Sequence, residues 1–209
     1  MELAALELVK NHLSEIREGG QQACEELMYG LLLSGLAMQM VGNSRPASGA
    51  EHHFSHLWEM ELINPTIDAY HGEKVGVGLL LAARKYHAAK VRFLSDVPTP
   101  KPWTGIEMEL IRAHASGTIL EGILQENTPD PLANIDLQTL QAKIPEIAAI
   151  LEEIPSEEQL RNEMASVGAK LDMNAIGLDP ALEELSFRLS PYVRNRLTFL
   201  RLLKLLGLN

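Results

Sequence analysis

Apolar residues recur along most of this chain at three- and four-residue intervals, and no stretch alternates cleanly between apolar and polar as a half-buried strand does. Leu3, Leu6, Val9 and Leu13 trace one face of a predicted helix from Glu2 to about Arg17, which Gly19 and Gly20 end. A second helix is predicted from about Gln22 to Val41. Its apolar run, LMYGLLLSGLAMQMVG (27–42), is shorter than the roughly 20 residues a membrane span requires. With Gly30, Ser34 and Gly35 suited to close packing, it reads as a buried helix.

GNSRPASG (42–49) reads as a loop, with a short helix after it. INPTIDAY (63–70) is a turn, because Pro65 removes a donor and biases the residue before it away from helix. HGEKVGVGLLLAARKYHAAK (71–90) is predicted as a fourth helix, apolar around much of its girth and therefore central. SDVPTPKPWTG (95–105) is a proline-rich loop in which Trp103 serves as an anchor. Further helices are predicted near 104–125, 136–153, 156–171 and 179–188. The last helix, SPYVRNRLTFLRLLKLLG, is expected to start with Ser190 as N-cap and Pro191 in the first turn, and to stop at Gly207. Arg194, Arg196, Arg201 and Lys204 would form its solvated face, opposite Leu197, Leu200 and Leu203. The pattern predicts an all-α fold, with residues 1–209 as one all-helical domain and a subdivision near 95–105 as the alternative.

Composition narrows the function classes. At 46% hydrophobic and 22% charged residues the chain can bury a real core, and its net charge of −10 argues against a nucleic-acid partner, which a basic surface would serve. Cys24 is the only cysteine, so an internal disulfide and a cysteine zinc cluster are both ruled out. A lone thiol suits a reducing compartment, and MELAALELVKNHLSEIR has no apolar signal core, so the expectation is a cytoplasmic protein without a membrane span.

The chemistry concentrates in SRPASGAEHHFSHLWEM (44–60), which places His52, His53 and His56 together, with His71 a short way downstream. On a helix His52 and His56 share a face, and His53 is turned about 100° from His52. Two imidazoles stacked in this way can approach one divalent cation, or one can bind metal while the other donates a proton. His71 opens the next helix, where it can fold back over the same spot. The plain alternative is four histidines satisfied by their neighbours. A zincin-type protease is excluded, because Glu51 precedes the doublet instead of separating two ligands. A ferritin-like di-iron bundle is excluded too, since paired Glu-x-x-His motifs are missing. Where the loop becomes a helix, backbone N–H groups together with Arg45 and Ser48 offer donors to an anionic group such as phosphate. The plainer reading of Ser48 is that it merely caps the helix.

SGLAMQMVGNSRPASGAEHHFSHLWEM, followed by YHGEKVGVGLLLAARKY, closely resembles the sn-glycerol-1-phosphate dehydrogenases, members of the wider iron-containing alcohol dehydrogenase, glycerol dehydrogenase and dehydroquinate synthase group. The likeness is densest over residues 34–90, and the tail YVRNRLTFLRLLKLLG shares it. The resemblance implies reduction of dihydroxyacetone phosphate to sn-glycerol 1-phosphate by NADH or NADPH, with a divalent metal, zinc or nickel, polarising the ketone. It makes His52 and His71 the metal ligands and His56 the histidine beside the substrate that relays a proton, with His53 a bystander.

The resemblance also implies a nucleotide-binding α/β domain and an aspartate ligand ahead of the histidines. This sequence has no G-x-G-x-x-G after a strand, and no aspartate between Met1 and His52. The expectation is therefore the metal-binding C-terminal helical domain of such an enzyme, lacking the cofactor site and inactive or nearly so by itself. Exposure of the apolar patch that faced the missing domain would favour a homodimer. Two other readings stand beside this one: a glycerol dehydrogenase-like polyol oxidoreductase domain, and a non-catalytic helical interaction module with relic histidines.

Overall fold

In a computed structural model that describes residues 2–208, the chain is all-α, and the described residues include no strand. Eleven α-helices follow in order among them: α1 (Glu2–Lys10), α2 (Leu13–Glu18), α3 (Gln21–Val41), α4 (Ala50–Glu59), α5 (His71–Ser95), α6 (Met108–His114), α7 (Gly117–Glu126), α8 (Leu137–Glu152), α9 (Glu157–Ser166), α10 (Glu183–Leu189) and α11 (Phe199–Leu206). None of the described helices is long and apolar enough to cross a membrane.

The hub is the pair α4 and α5. α4 buries Ala50, His53, Phe54, Ser55, Leu57 and Trp58, and α5 buries Val77, Leu80, Leu81, Ala82, Ala83, Ala89 and Phe93. Their backbones approach so closely at Gly78 that a Cβ there would lie 2.7 Å from the Glu51 carbonyl oxygen and 3.0 Å from the Phe54 Cβ. The GVG triplet thus serves helix packing. α8, α9 and α11 pack on other sides of α5, which is central as its apolar girth predicts. Phe54 meets Phe187 edge to face at 5.2 Å, and the buried Trp58 indole donates to Ser186 Oγ at 3.0 Å, joining α4 to α10. Trp103 is an anchor as expected: its indole donates to Asp130 Oδ2 at 2.6 Å.

Several predicted elements are corrected. The first helix is two, α1 and α2, broken at Asn11 and His12. The His12 ring bridges Glu15 at 2.7 Å and Glu26 at 2.8 Å, so the corner is tied down by side chains that periodicity does not register. The side chain of Leu3, assigned above to the first helical face, lies outside the described residues. The span 104–125 is also divided, because Ala115 and Ser116 are extended and Gly117 takes a left-handed φ of 55°.

The C-terminal helix does not start at Ser190. Residues 190–192 form a short 3-10 turn, and α11 begins only at Phe199, where Thr198 caps it by accepting from the Arg201 N–H at 3.3 Å. Gly207 does end it, with a φ of 63°. The expected solvated basic face is overturned as well. Arg194 and Arg196 precede the helix, the Arg201 side chain is wholly buried, and that of Lys204 is 4% exposed. Each buried charge has its partners: Arg201 binds Asp130 Oδ1 at 3.0 Å, Asn127 Oδ1 at 2.5 Å and the Pro191 carbonyl at 3.0 Å, and Lys204 binds Glu107 at 2.7 Å.

The largest correction concerns α3. Instead of being a buried helix it buries only Ala23 and Gly30, the latter against Ala5 and Val9 of α1. Met28, Leu32, Leu36 and Met40, spaced four residues apart, face solvent with Tyr29, Leu31 and Val41.

Candidate functional site

Four-residue spacing on α4 stacks His52 and His56, and Glu59 falls one turn further along the same face. The extended segment before α5 then returns His71 to that face. The rings of His52 and His71 lie 5.4 Å apart between centroids, those of His56 and His71 5.6 Å, and those of His52 and His56 6.3 Å. His53 points the other way into the core, only 1% exposed, with neither ring nitrogen hydrogen-bonded.

Carboxylates flank the three clustered rings. Glu51 Oε1 faces His52 Nδ1 at 2.9 Å and also accepts from the Gly49 N–H at 2.6 Å. Glu59 Oε1 faces His71 Nδ1 at 2.9 Å and Lys74 Nζ at 3.2 Å, and its Oε2 lies 3.4 Å from His56 Nδ1. Burial works to raise both carboxyls, yet each rests below the usual carboxylate range: hydrogen bonds from His52 and the Gly49 backbone outweigh burial at Glu51, and those from His71 and Lys74 do so at Glu59. Burial, followed by the charge of Arg194, lowers His56. Burial and then Arg196 push His53 down to about 4, so its ring is neutral at physiological pH.

At the N-terminal end of α4 a cavity of about 310 Å³ is lined by Arg45, Ser48, Tyr86, Arg196 and Thr198, among others. Ser48 is not the helix cap; Gly49 holds that position, and no side chain caps the end. Arg196 reaches the same loop, donating to the Ser48 carbonyl at 2.5 Å and to Ser44 Oγ at 2.6 Å.

Sequence reasoning singled out His52, His56, His71, Arg45 and Ser48, and overlooked Glu59, Lys74, Arg194 and Arg196. Glu59 and Lys74 carry a readable signal, each standing three residues after a histidine on its own helix. The two arginines do not, since they arrive from 140 positions or so away along the chain, as the 148-residue separation of Arg196 from Ser48 shows.

The donor set suits a divalent ion in part. Two imidazoles holding one tetrahedral ion at about 2.0 Å would have centroids about 5 Å apart, near the separation of His52 and His71. Among the described residues, however, no three His, Cys, Asp or Glu side chains are grouped so as to hold a metal ion.

Comparison with known proteins gives one consistent relationship. The chain is 32% identical over 198 residues to an NAD(P)+ glycerol-1-phosphate dehydrogenase of Geobacillus stearothermophilus, a match covering 94% of this chain and 42% of the relative. It is 29% identical over 200 residues to the enzyme of the same name from Geobacillus thermodenitrificans, covering 95% of this chain and 43% of that relative. A third, from Thermococcus kodakarensis, is 39% identical over 83 residues, which are 40% of this chain and 23% of the relative. The chain spans about two-fifths of the length of the first two relatives. No protein-family model and no solved structure matches it.

Proposed function

This chain is similar to glycerol-1-phosphate dehydrogenases along nearly its whole length, and from that premise we propose that it forms the metal- and substrate-binding part of an NAD(P)-dependent enzyme interconverting dihydroxyacetone phosphate and sn-glycerol 1-phosphate. The observation that carries the reading is the convergence of His52 and His71 from neighbouring helices, 5.4 Å apart. In this proposal those two residues hold a divalent ion, zinc or nickel, and further ligands come from outside their pair. Such an ion polarises the ketone, and the nicotinamide supplies the hydride.

The chain's own residues would do the rest. Arg45 and Ser48 bind the substrate phosphate in the cavity at the start of α4. Glu51 already takes the Gly49 N–H, so side chains and not that backbone group are the donors. Arg196 spends part of its five-donor fork on the loop and contributes positive charge from the same wall. His56, lowered by burial and Arg194, is a neutral ring that can take a proton on one nitrogen and release one from the other.

Titration calorimetry of the 209-residue chain with zinc or nickel tests the metal assignment. One equivalent should bind, and His52→Ala and His71→Ala should each abolish it. Absence of binding, unchanged by either substitution, would leave a helical module with relic histidines. For the substrate, glycerol 1-phosphate should bind more tightly than glycerol, and Arg45→Ala should erase the difference. Equal binding would favour a polyol enzyme instead. These residues by themselves should show little or no NADH-dependent reduction of dihydroxyacetone phosphate.

A further inference from the structure

Every clustered imidazole is approached by a carboxylate at the same atom. His52 Nδ1 faces Glu51, while His71 Nδ1 faces Glu59 at 2.9 Å with the Ser55 hydroxyl at 3.1 Å beside it and, at longer range, His56 Nδ1 faces Glu59. An ionised carboxylate can only accept, so the nitrogens turned toward it carry hydrogen, and Nε2 of a neutral ring keeps its lone pair. Among the described residues no hydrogen bond engages Nε2 of His52, His56 or His71. Glu59 is itself fixed, by Lys74 Nζ at 3.2 Å and by the Ser55 hydroxyl at 3.3 Å. Ser55 is fully buried and the Lys74 side chain is 10% exposed, so the Glu59 carboxylate, itself 30% exposed, is held from the α4–α5 seam on its inner side.

We propose that Glu59 is a positioning residue that sets the tautomers of His71 and His56, as Glu51 does for His52, so that all three rings present an unprotonated Nε2 to the same region. The consequence for metal affinity rests on the reading of His52 and His71 as ligands. The tautomer claim does not, because it concerns the metal-free protein. Orienting carboxylates behind histidine ligands typically change metal affinity 10- to 100-fold, roughly the size expected here. Glu59 is the more consequential of the two, since it serves rings on both helices at once.

Nitrogen-15 NMR of the metal-free chain, at a pH where its histidines are neutral, reads the tautomers directly. The expected wild-type state is Nδ1–H at His52 and His71. Glu59→Ala should move His71 and His56 toward Nε2–H and leave His52 unmoved, and Glu51→Ala should move His52 alone. Glu59→Gln, whose amide oxygen still accepts, should restore much of the wild-type pattern. In zinc titrations Glu59→Ala should weaken binding by roughly 10- to 100-fold, and Glu59→Gln by less, with helical circular dichroism unchanged. Tautomer shifts in a wild type that binds no zinc would support the role of Glu59 and sink the metal reading. Tautomers that stay put in Glu59→Ala would overturn the inference, whatever the affinity for zinc.

Discussion

His53 illustrates how differently neighbouring residues of one type are treated. Its ring is sealed in the core without a partner for either nitrogen, whereas His52, one position earlier, rests on a carboxylate. An unpaired buried polar group costs about 1–3 kcal/mol, and each nitrogen of this ring is such a group. His53→Leu, of similar size and without polar atoms, should therefore stabilise the fold by about 1–2 kcal/mol and raise the melting temperature by roughly 2–8 °C. Calorimetric melting checks this, and a lower melting temperature would mean that the ring is held by a bond the protein needs. Arg201 is the counterexample: equally buried, it is surrounded by Asp130, Asn127 and backbone carbonyls, with only its Nε left over.

At the scale of elements, the end of the chain is held by two carboxylates, Asp130 on Arg201 and Glu107 on Lys204. Glu107, just before α6, receives the forked Arg188 guanidinium from α10, the Lys204 ammonium from α11 at 2.7 Å and the Tyr192 hydroxyl at 3.3 Å. Burial raises its pKa, but the bonds from Lys204 and Arg188 prevail and leave it below the ordinary 4.5. Burial acts in the opposite sense on Lys204, lowering its ammonium against the pull of Glu107, so the gain from the pair is read on the acid limb. The unfolded chain binds a proton at Glu107 at a higher pH than the folded one does. This contribution is thus complete above about pH 4.5 and is lost as pH falls through the folded value. Urea midpoints should accordingly drop between pH 6 and pH 3.5. Glu107→Gln should start lower at pH 6 and drop less.

The same region marks where the sequence could and could not be read. Apolar period located α5, α8 and α9 with no end more than about five positions out, because apolar spacing is a property of the segment itself, whereas Asp136 and Ser156, which cap α8 and α9, went unread. The break before α11 and the burial of Arg201 and Lys204 depend on Glu107 and Asp130, each more than 70 residues away. No local pattern encodes such partners. The histidine cluster was legible as spacing, and Glu51 and Glu59 stand beside His52 and His56 on the same helix, but the contact of Glu59 with His71 and Lys74 required knowing that α5 folds back onto α4.

For the whole molecule, the outstanding surface feature is the row Met28, Leu32, Leu36 and Met40, which runs about 18 Å along α3. A patch of this kind on a protein in water promotes association. Replacing Leu32, Leu36 and Met40 together with glutamine should reduce light scattering by concentrated protein. Each change should shift stability by no more than about 0.5 kcal/mol, because these side chains make few contacts in the fold. A marked loss of stability would show that the face is packed in solution.

Gly78 has an influence out of proportion to its size. It lies two turns along α5 from His71, and the carbonyl pressed against it belongs to Glu51, the residue before His52. A single methyl there would wedge the helices open and carry the paired rings apart while leaving both untouched. The spacing of His52 and His71 is written in a hydrogen atom.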